Sequence, residues 1–137
     1  MTMYQGSYAQ YRTVGTVTAS PGDLLVQLYQ AAIRNGALAS GAIEKRDVPR
    51  AHHHITRVQD ILAELRRTLD VERGGEIAQL LDRLYGYMLH RLFIANVNKD
   101  RGPVDEVVGL LRQLLSAWQV AARTSRRSAG SIDDAVA

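Results

Sequence analysis

Three prolines (Pro21, Pro49 and Pro103) and the pair Gly74-Gly75 divide residues 21–124 of this 137-residue chain into four stretches of similar length. That punctuation constrains the fold more than any other feature. Within each stretch apolar residues recur three or four positions apart, the period of one face of an α-helix. Proline suits the first turn of a helix, where its missing N–H is not needed, and breaks a helix interior. Ser20-Pro21-Gly22-Asp23 therefore reads as a helix start, with Ser20 as cap and Asp23 at the capping-box position. Asp47-Val48-Pro49 restarts the chain, and Asp100-Arg101-Gly102-Pro103 ends one helix and begins the next.

The spacing predicts helices over about 21–45, 49–70, 75–98 and 103–124. The first carries Leu25, Leu28, Ala32, Gly36, Ala39 and Ile43 on one face. Its glycines each lower helix propensity by about 1 kcal/mol against alanine, which points to close approach by a neighbouring helix. Ile55, Val58, Leu62, Leu65 and Leu69 form a seam on the second. The third carries Ile77, Leu81, Leu84, Met88, Leu92 and Ala95, widened by Leu80, Tyr87 and Ile94. The fourth carries Val104, Val107, Val108, Leu111, Leu114, Leu115, Trp118 and Ala121. Helices of about 33 Å joined by short loops predict an all-α fold, an antiparallel four-helix bundle over 21–124. Residues 1–20 read as an arm, extended or loosely helical, with Tyr4, Tyr8 and Tyr11 among polar residues. Residues 125–137, rich in Ser, Ala, Gly and charge, read as a disordered tail.

Charge and composition narrow the function. The net charge is only +3, and apart from the cluster Arg123, Arg126 and Arg127 acids and bases are interspersed. A nucleic-acid surface concentrates its cations more than this and interleaves aromatics to stack on bases. Cysteine is absent, so a disulfide framework, a Cys-based zinc site and a thiol nucleophile are excluded. Neither a secretory signal pattern at the N-terminus nor an apolar run of about 18 residues occurs, so the chain is expected in the cytosol without membrane insertion.

No constellation of an active site emerges. His52, His53 and His54 are consecutive, and neighbouring helical residues point about 100° apart, so the three cannot converge on one metal. His90 sits well away from the core-facing Met88. The inward Glu-x-x-His pairs of di-metal bundles are missing, and Gly74-Gly75-Glu76 lacks the Lys-Ser ending of a phosphate loop. The adjacent acids Asp105-Glu106 and Asp133-Asp134 read as helix-start and tail charges. These absences predict a protein that is no enzyme and needs no cofactor or metal. What remains is apolar surface: the third and fourth helices are apolar beyond a bundle seam, and the arm is studded with tyrosines, which suit contact surfaces. Core filling explains the same residues equally well.

Several segments resemble the flagellar export chaperone family FliS. They are the opening Thr18-Ala19-Ser20-Pro21-Gly22-Asp23-Leu24-Leu25-Val26-Gln27-Leu28-Tyr29-Gln30-Ala31-Ala32-Ile33-Arg34, the run from Ala63-Glu64-Leu65 to Gly74-Gly75-Glu76-Ile77-Ala78, Leu84-Tyr85-Gly86-Tyr87-Met88 to Arg91-Leu92, and Ala95-Asn96-Val97-Asn98-Lys99-Asp100. Tyr8 and Tyr11 match the family's paired arm tyrosines, and Trp118 falls where the fourth helix should close. Gly22-Asp23 stands where two acids are common, and His52 to His54 are a departure. The resemblance implies a cytosolic chaperone that binds the C-terminal region of flagellin in apolar surface grooves, preventing premature polymerisation and keeping it competent for export. It implies that Tyr8 and Tyr11 plug the groove or clamp the client. Tyr29, Tyr87, Met88, Leu92 and Asn96 are the further candidates, because they fall in matching motifs; for Met88 and Leu92 interior packing is the competing reading. Partners implied are the flagellin C-terminal segment and, beyond it, the export apparatus or a co-chaperone, with the protein itself a monomer or weak homodimer. Two other classes remain open: a homodimer whose extra apolar faces meet each other, and a nucleic-acid accessory protein using the arginine cluster.

Overall fold

The computed structural model describes the backbone of residues 20–136 and the side chains of residues 20–124. Tyr8, Tyr11 and the rest of the arm up to residue 19 lie outside the described residues, as do the side chains of 125–137. Four helices follow in order: α1 (Pro21–Glu44), α2 (Val48–Arg67), α3 (Gly75–Asn98) and α4 (Arg101–Val136). Among the described residues there is no strand, and the fold is the expected all-α four-helix bundle.

The starts are set by side chains. Ser20 and Asp23 form a reciprocal capping box: the Asp23 N–H donates to Ser20 Oγ (3.2 Å), and the Ser20 N–H donates to Asp23 Oδ2 (3.2 Å). Asp47 caps α2 by accepting the Arg50 N–H at 3.2 Å. Asp100 accepts the Gly102 N–H at 3.0 Å and starts α4 two residues ahead of the expected position. Gly74 and Gly75 start α3. Gly75 takes φ +66°, and a Cβ on Gly74 would lie 2.5 Å from the Ala78 Cβ and 2.8 Å from the Asp70 carbonyl oxygen.

Helix ends depart from the expectation in two places. α2 stops at Arg67, not near 70; beyond it Thr68 Oγ1 donates to the Leu65 carbonyl (2.9 Å) and the Gly74 N–H returns to Asp70 O (2.8 Å). α4 runs well past 124. Apolar periodicity ends at Ala121, but periodicity reports burial, whereas alanine and arginine favour helix whether or not a face is covered. α1 ends in a pair of return bonds, Asp47 N–H to Ala42 O (2.9 Å) with Arg46 N–H to Ile43 O (3.0 Å), and α3 in a single one, Asp100 N–H to Ala95 O (3.1 Å). Such endings require a left-handed residue, usually glycine. Here Arg46 (φ 57°) and Lys99 (φ 51°) fill it, at a steric cost of about 1 kcal/mol or more each.

Residues 31–111 form one compact unit. Its core joins Ala31, Ala32, Ala39 and Ala42 of α1, Ile55, Val58, Leu62 and Leu65 of α2, Leu81, Tyr85, Met88, Leu92 and Ala95 of α3, and Val104, Val107, Val108 and Leu111 of α4. Each large side chain removed from water there stabilises the fold by about 1.5–3 kcal/mol. Cross-links fix the antiparallel register. Arg66 meets Asp82 (2.9 Å) and His52 meets Asn96 (3.0 Å) between α2 and α3, while Arg101 pairs with Glu44 (3.2 Å) between α4 and α1. The small residues of α1 serve close approach at one point: a Cβ on Gly36 would lie 2.5 Å from Val108 Cγ2. At Gly41 nothing lies within 4 Å, so that glycine has no such role. Ile77, expected in the α3 seam, is instead exposed: it lies in the first turn on the face of Leu81 but is left uncovered there. The second compact unit takes in the start of α1 and α4 from Arg112 onward. Within it Tyr29 and Trp118 form a tilted ring pair with centroids 6.3 Å apart. The Trp118 indole N–H is buried with no acceptor among the described residues.

Candidate functional site

Surface chemistry concentrates on α3, whose 24 residues carry far more apolar side chains than the core receives. The core stripe (Leu81, Tyr85, Met88, Leu92 and Ala95) follows the helical period and is buried throughout. Flanking it on one side are Ile77, Leu80, Leu84 and Tyr87, spaced three, four and three residues apart, so they form one line about 15 Å long. Ile77 is 70% exposed, Leu80 58% and Tyr87 45%, and Leu84 is half-buried. On the other flank, Phe93 (60% exposed) and Val97 (67%) continue from half-buried Leu89. Single exposed apolar residues are ordinary, whereas a contiguous line is the candidate for a contact surface.

The first line has a polar edge. The Tyr87 hydroxyl donates to Glu106 Oε2 and the Arg91 Nε–H donates to Glu106 Oε1, both at 2.6 Å. These two bonds, from Tyr87 first and Arg91 second, hold the Glu106 carboxyl below the usual glutamate range. In return, donation to a carboxylate raises the Tyr87 phenol. Glu106 thus pins Tyr87 from α4, leaving one side of its ring to solvent. Fixing an aromatic side chain before a partner arrives lowers the entropy lost on contact.

The candidates read from sequence fall into distinct places. Tyr29, Met88 and Leu92 are fully buried. Tyr87 lies on the exposed line. Asn96 is half-buried and ties α3 to α2: its Nδ2 donates to His52 Nδ1 (3.0 Å) while its Oδ1 and backbone carbonyl accept from Lys99 Nζ. The structure thus brings Tyr87 together with Ile77, Leu80 and Leu84, but leaves Asn96 at the far end of the helix. Phe93 and Val97 had not been singled out by periodicity. The available signal was Leu89-Phe93-Val97 at four-residue spacing off the core stripe.

The histidine run spreads over three environments. His52 accepts from Asn96, and His53 stands edge-on to His54 with ring centroids 5.0 Å apart. His54 Nδ1 lies 3.0 Å from Asn35 Oδ1. Because Asn35 Nδ2 is committed to the Ala31 carbonyl (2.9 Å), His54 Nδ1 is assigned as the donor. Burial lowers the His54 pKa, helped by His53 and Arg50. Among the described residues no three His, Asp or Glu side chains converge to hold a metal, and no helix is long and apolar enough to cross a membrane.

A four-helix bundle with an exposed apolar line has the form of a protein-binding module. The sequence pattern of the family "Flagellar protein FliS" matches residues 3–125, and the chain belongs to that family. Similar proteins include the flagellar secretion chaperone FliSB of Pseudomonas aeruginosa, 42% identical over 73% of this chain and 79% of that protein. The flagellar secretion chaperone FliS of Bacillus subtilis is 33% identical over 90% and 91%, and that of Salmonella typhimurium 37% over 82% and 85%. The family is one of export chaperones, not enzymes.

Proposed function

We propose that this protein is a cytosolic export chaperone that binds the C-terminal region of flagellin in helical form along its apolar surface, blocking premature polymerisation until export. The observation that carries this reading is the line Ile77, Leu80, Leu84 and Tyr87 on α3, together with the family. An amphipathic helix presents apolar residues at the same three- and four-residue spacing, so it can lie against such a line, the helix-in-groove mode. A client segment that is disordered until bound pays its ordering cost on contact, which keeps binding reversible for handover. Tyr8 and Tyr11 of the arm are proposed to cover the same surface or clamp the client.

Calorimetry with a flagellin C-terminal fragment tests the reading. A one-to-one complex with a negative heat-capacity change and weak salt dependence is expected, because apolar burial drives it. An absence of heat with a fully helical chaperone, or binding that collapses with salt, would refute it.

A further inference from the structure

At one end of the 31–111 unit, where α1 passes to α2 and α3 ends, lies an open cavity of about 330 Å³ lined by Ile43, Arg46, Asp47, Val48, Ala51 and Lys99. Its size falls in the range of small-ligand clefts, about 300–1,000 Å³. Three of the lining residues are aliphatic and three are charged. The two cations, Arg46 and Lys99, are also the two non-glycine residues with positive φ among the described residues. A helix-terminal dipole accounts for a cation in the last turn, and Lys99 Nζ does bond the Asn96 carbonyl (2.7 Å). It does not account for cations at both left-handed positions, where glycine or asparagine costs less, nor for the cavity between them. Arg46 makes no ion pair among the described residues, whereas Arg101 nearby is committed to Glu44 and Asp105. Asp47, the one acid in the lining, uses Oδ1 to cap Arg50, and its other oxygen remains an acceptor.

We propose that this cavity binds the free C-terminal residue of a polypeptide. Arg46 and Lys99 take its α-carboxylate, Asp47 accepts its amide N–H, and Ile43, Val48 and Ala51 pack on a small aliphatic side chain. Two cations against one carboxylate leave a net charge matched to a single negative group. A phosphate carrying two charges is repelled by Asp47 and leaves the aliphatic residues bare. The site is separate from the exposed line on α3 and does not depend on that surface binding flagellin.

The test is a ¹H–¹⁵N titration of the full chain with N-acetyl-valine, N-acetyl-valinamide, N-acetyl-aspartic acid α-amide and inorganic phosphate. The Arg46, Val48 and Lys99 amides are expected to shift saturably with N-acetyl-valine, and about tenfold more weakly with the valinamide, which lacks the charge-assisted bonds. Arg46→Gly and Lys99→Gly are each expected to weaken N-acetyl-valine about tenfold, as one cation is lost. Arg46→Gly should leave the thermal midpoint unchanged, because glycine takes the left-handed conformation freely, whereas Lys99→Gly also gives up the Lys99 bonds to Asn96 and is compared with Lys99→Asn for that loss. The proposal is overturned by equal responses to acid and amide, by tighter binding of phosphate or of the aspartate side chain, by glycine variants that bind as the native chain does, or by no response at these amides.

Discussion

Gly36→Ala isolates a close helix approach in the 31–111 unit. The added Cβ would stand 2.5 Å from Val108 Cγ2, against about 3.5–4.0 Å for an unstrained carbon pair. Val108 is 7% exposed and β-branched, so it holds essentially one helical rotamer and cannot swing aside cheaply. Overpacking of this kind costs about 1–3 kcal/mol, while replacing a helical glycine by alanine returns about 1 kcal/mol. The net expectation is a loss of about 1 kcal/mol, equivalent to about 4–8 °C in thermal midpoint for a domain near this size. Gly109→Ala is the control, since nothing lies within 4 Å of its Cβ, and it should gain up to about 1 kcal/mol. In a Val108→Ala background the clash disappears and Gly36→Ala should turn stabilising, a coupling measurable by a double-mutant cycle in urea. If Gly36→Ala raises the unfolding midpoint as much as Gly109→Ala does, the close-approach argument fails.

Three further outcomes are expected. Burial lowers the His54 pKa, so its neutral form favours the folded state; stability should be full above the ordinary value of 6.5 and decline as pH falls below it, and His54→Gln should flatten that part of a pH–stability curve. Tyr87→Phe removes the first of the two bonds holding the Glu106 carboxyl low, so its titration followed by carbon NMR should move upward, and the acid loss of its contribution to the fold should set in at higher pH; an unmoved titration contradicts the pairing. Truncation at residue 123 should leave flagellin affinity unchanged, whereas Tyr8→Ala with Tyr11→Ala should alter affinity or release in the same calorimetric assay; the reverse pattern would point to the arginine cluster as the working surface.

Much of the bundle was legible because its signals are local. Ser20 and Asp23 cap each other as their spacing requires, and Gly74-Gly75 starts α3 where expected. Periodicity found the α2 seam from Ile55 to Leu65, because one stripe faces the core there. On α3 the same reasoning reached its limit. A helix with apolar residues round most of its circumference gives no phase to separate core from surface, so periodicity puts Ile77 in the seam and does not mark Phe93 and Val97, although all three are exposed. Met88 and Leu92 entered as site candidates through motif position, and three-dimensional packing puts both in the core. The Glu106 grip on Tyr87 and the paired left-handed cations arise from residues far apart in sequence or from backbone geometry, and neither leaves a pattern in a single sequence.

The central claim is that the α3 line is where a flagellin segment docks, and the affinity of Leu80→Asp for the flagellin C-terminal fragment tests it most directly. Leu80 is 58% exposed, so the substitution should leave the thermal midpoint close to that of the native chain. Losing the leucine contact and placing a charge in the interface should weaken binding at least about tenfold. An affinity within about twofold of the native protein would contradict the account, a difference too small for a lost apolar contact.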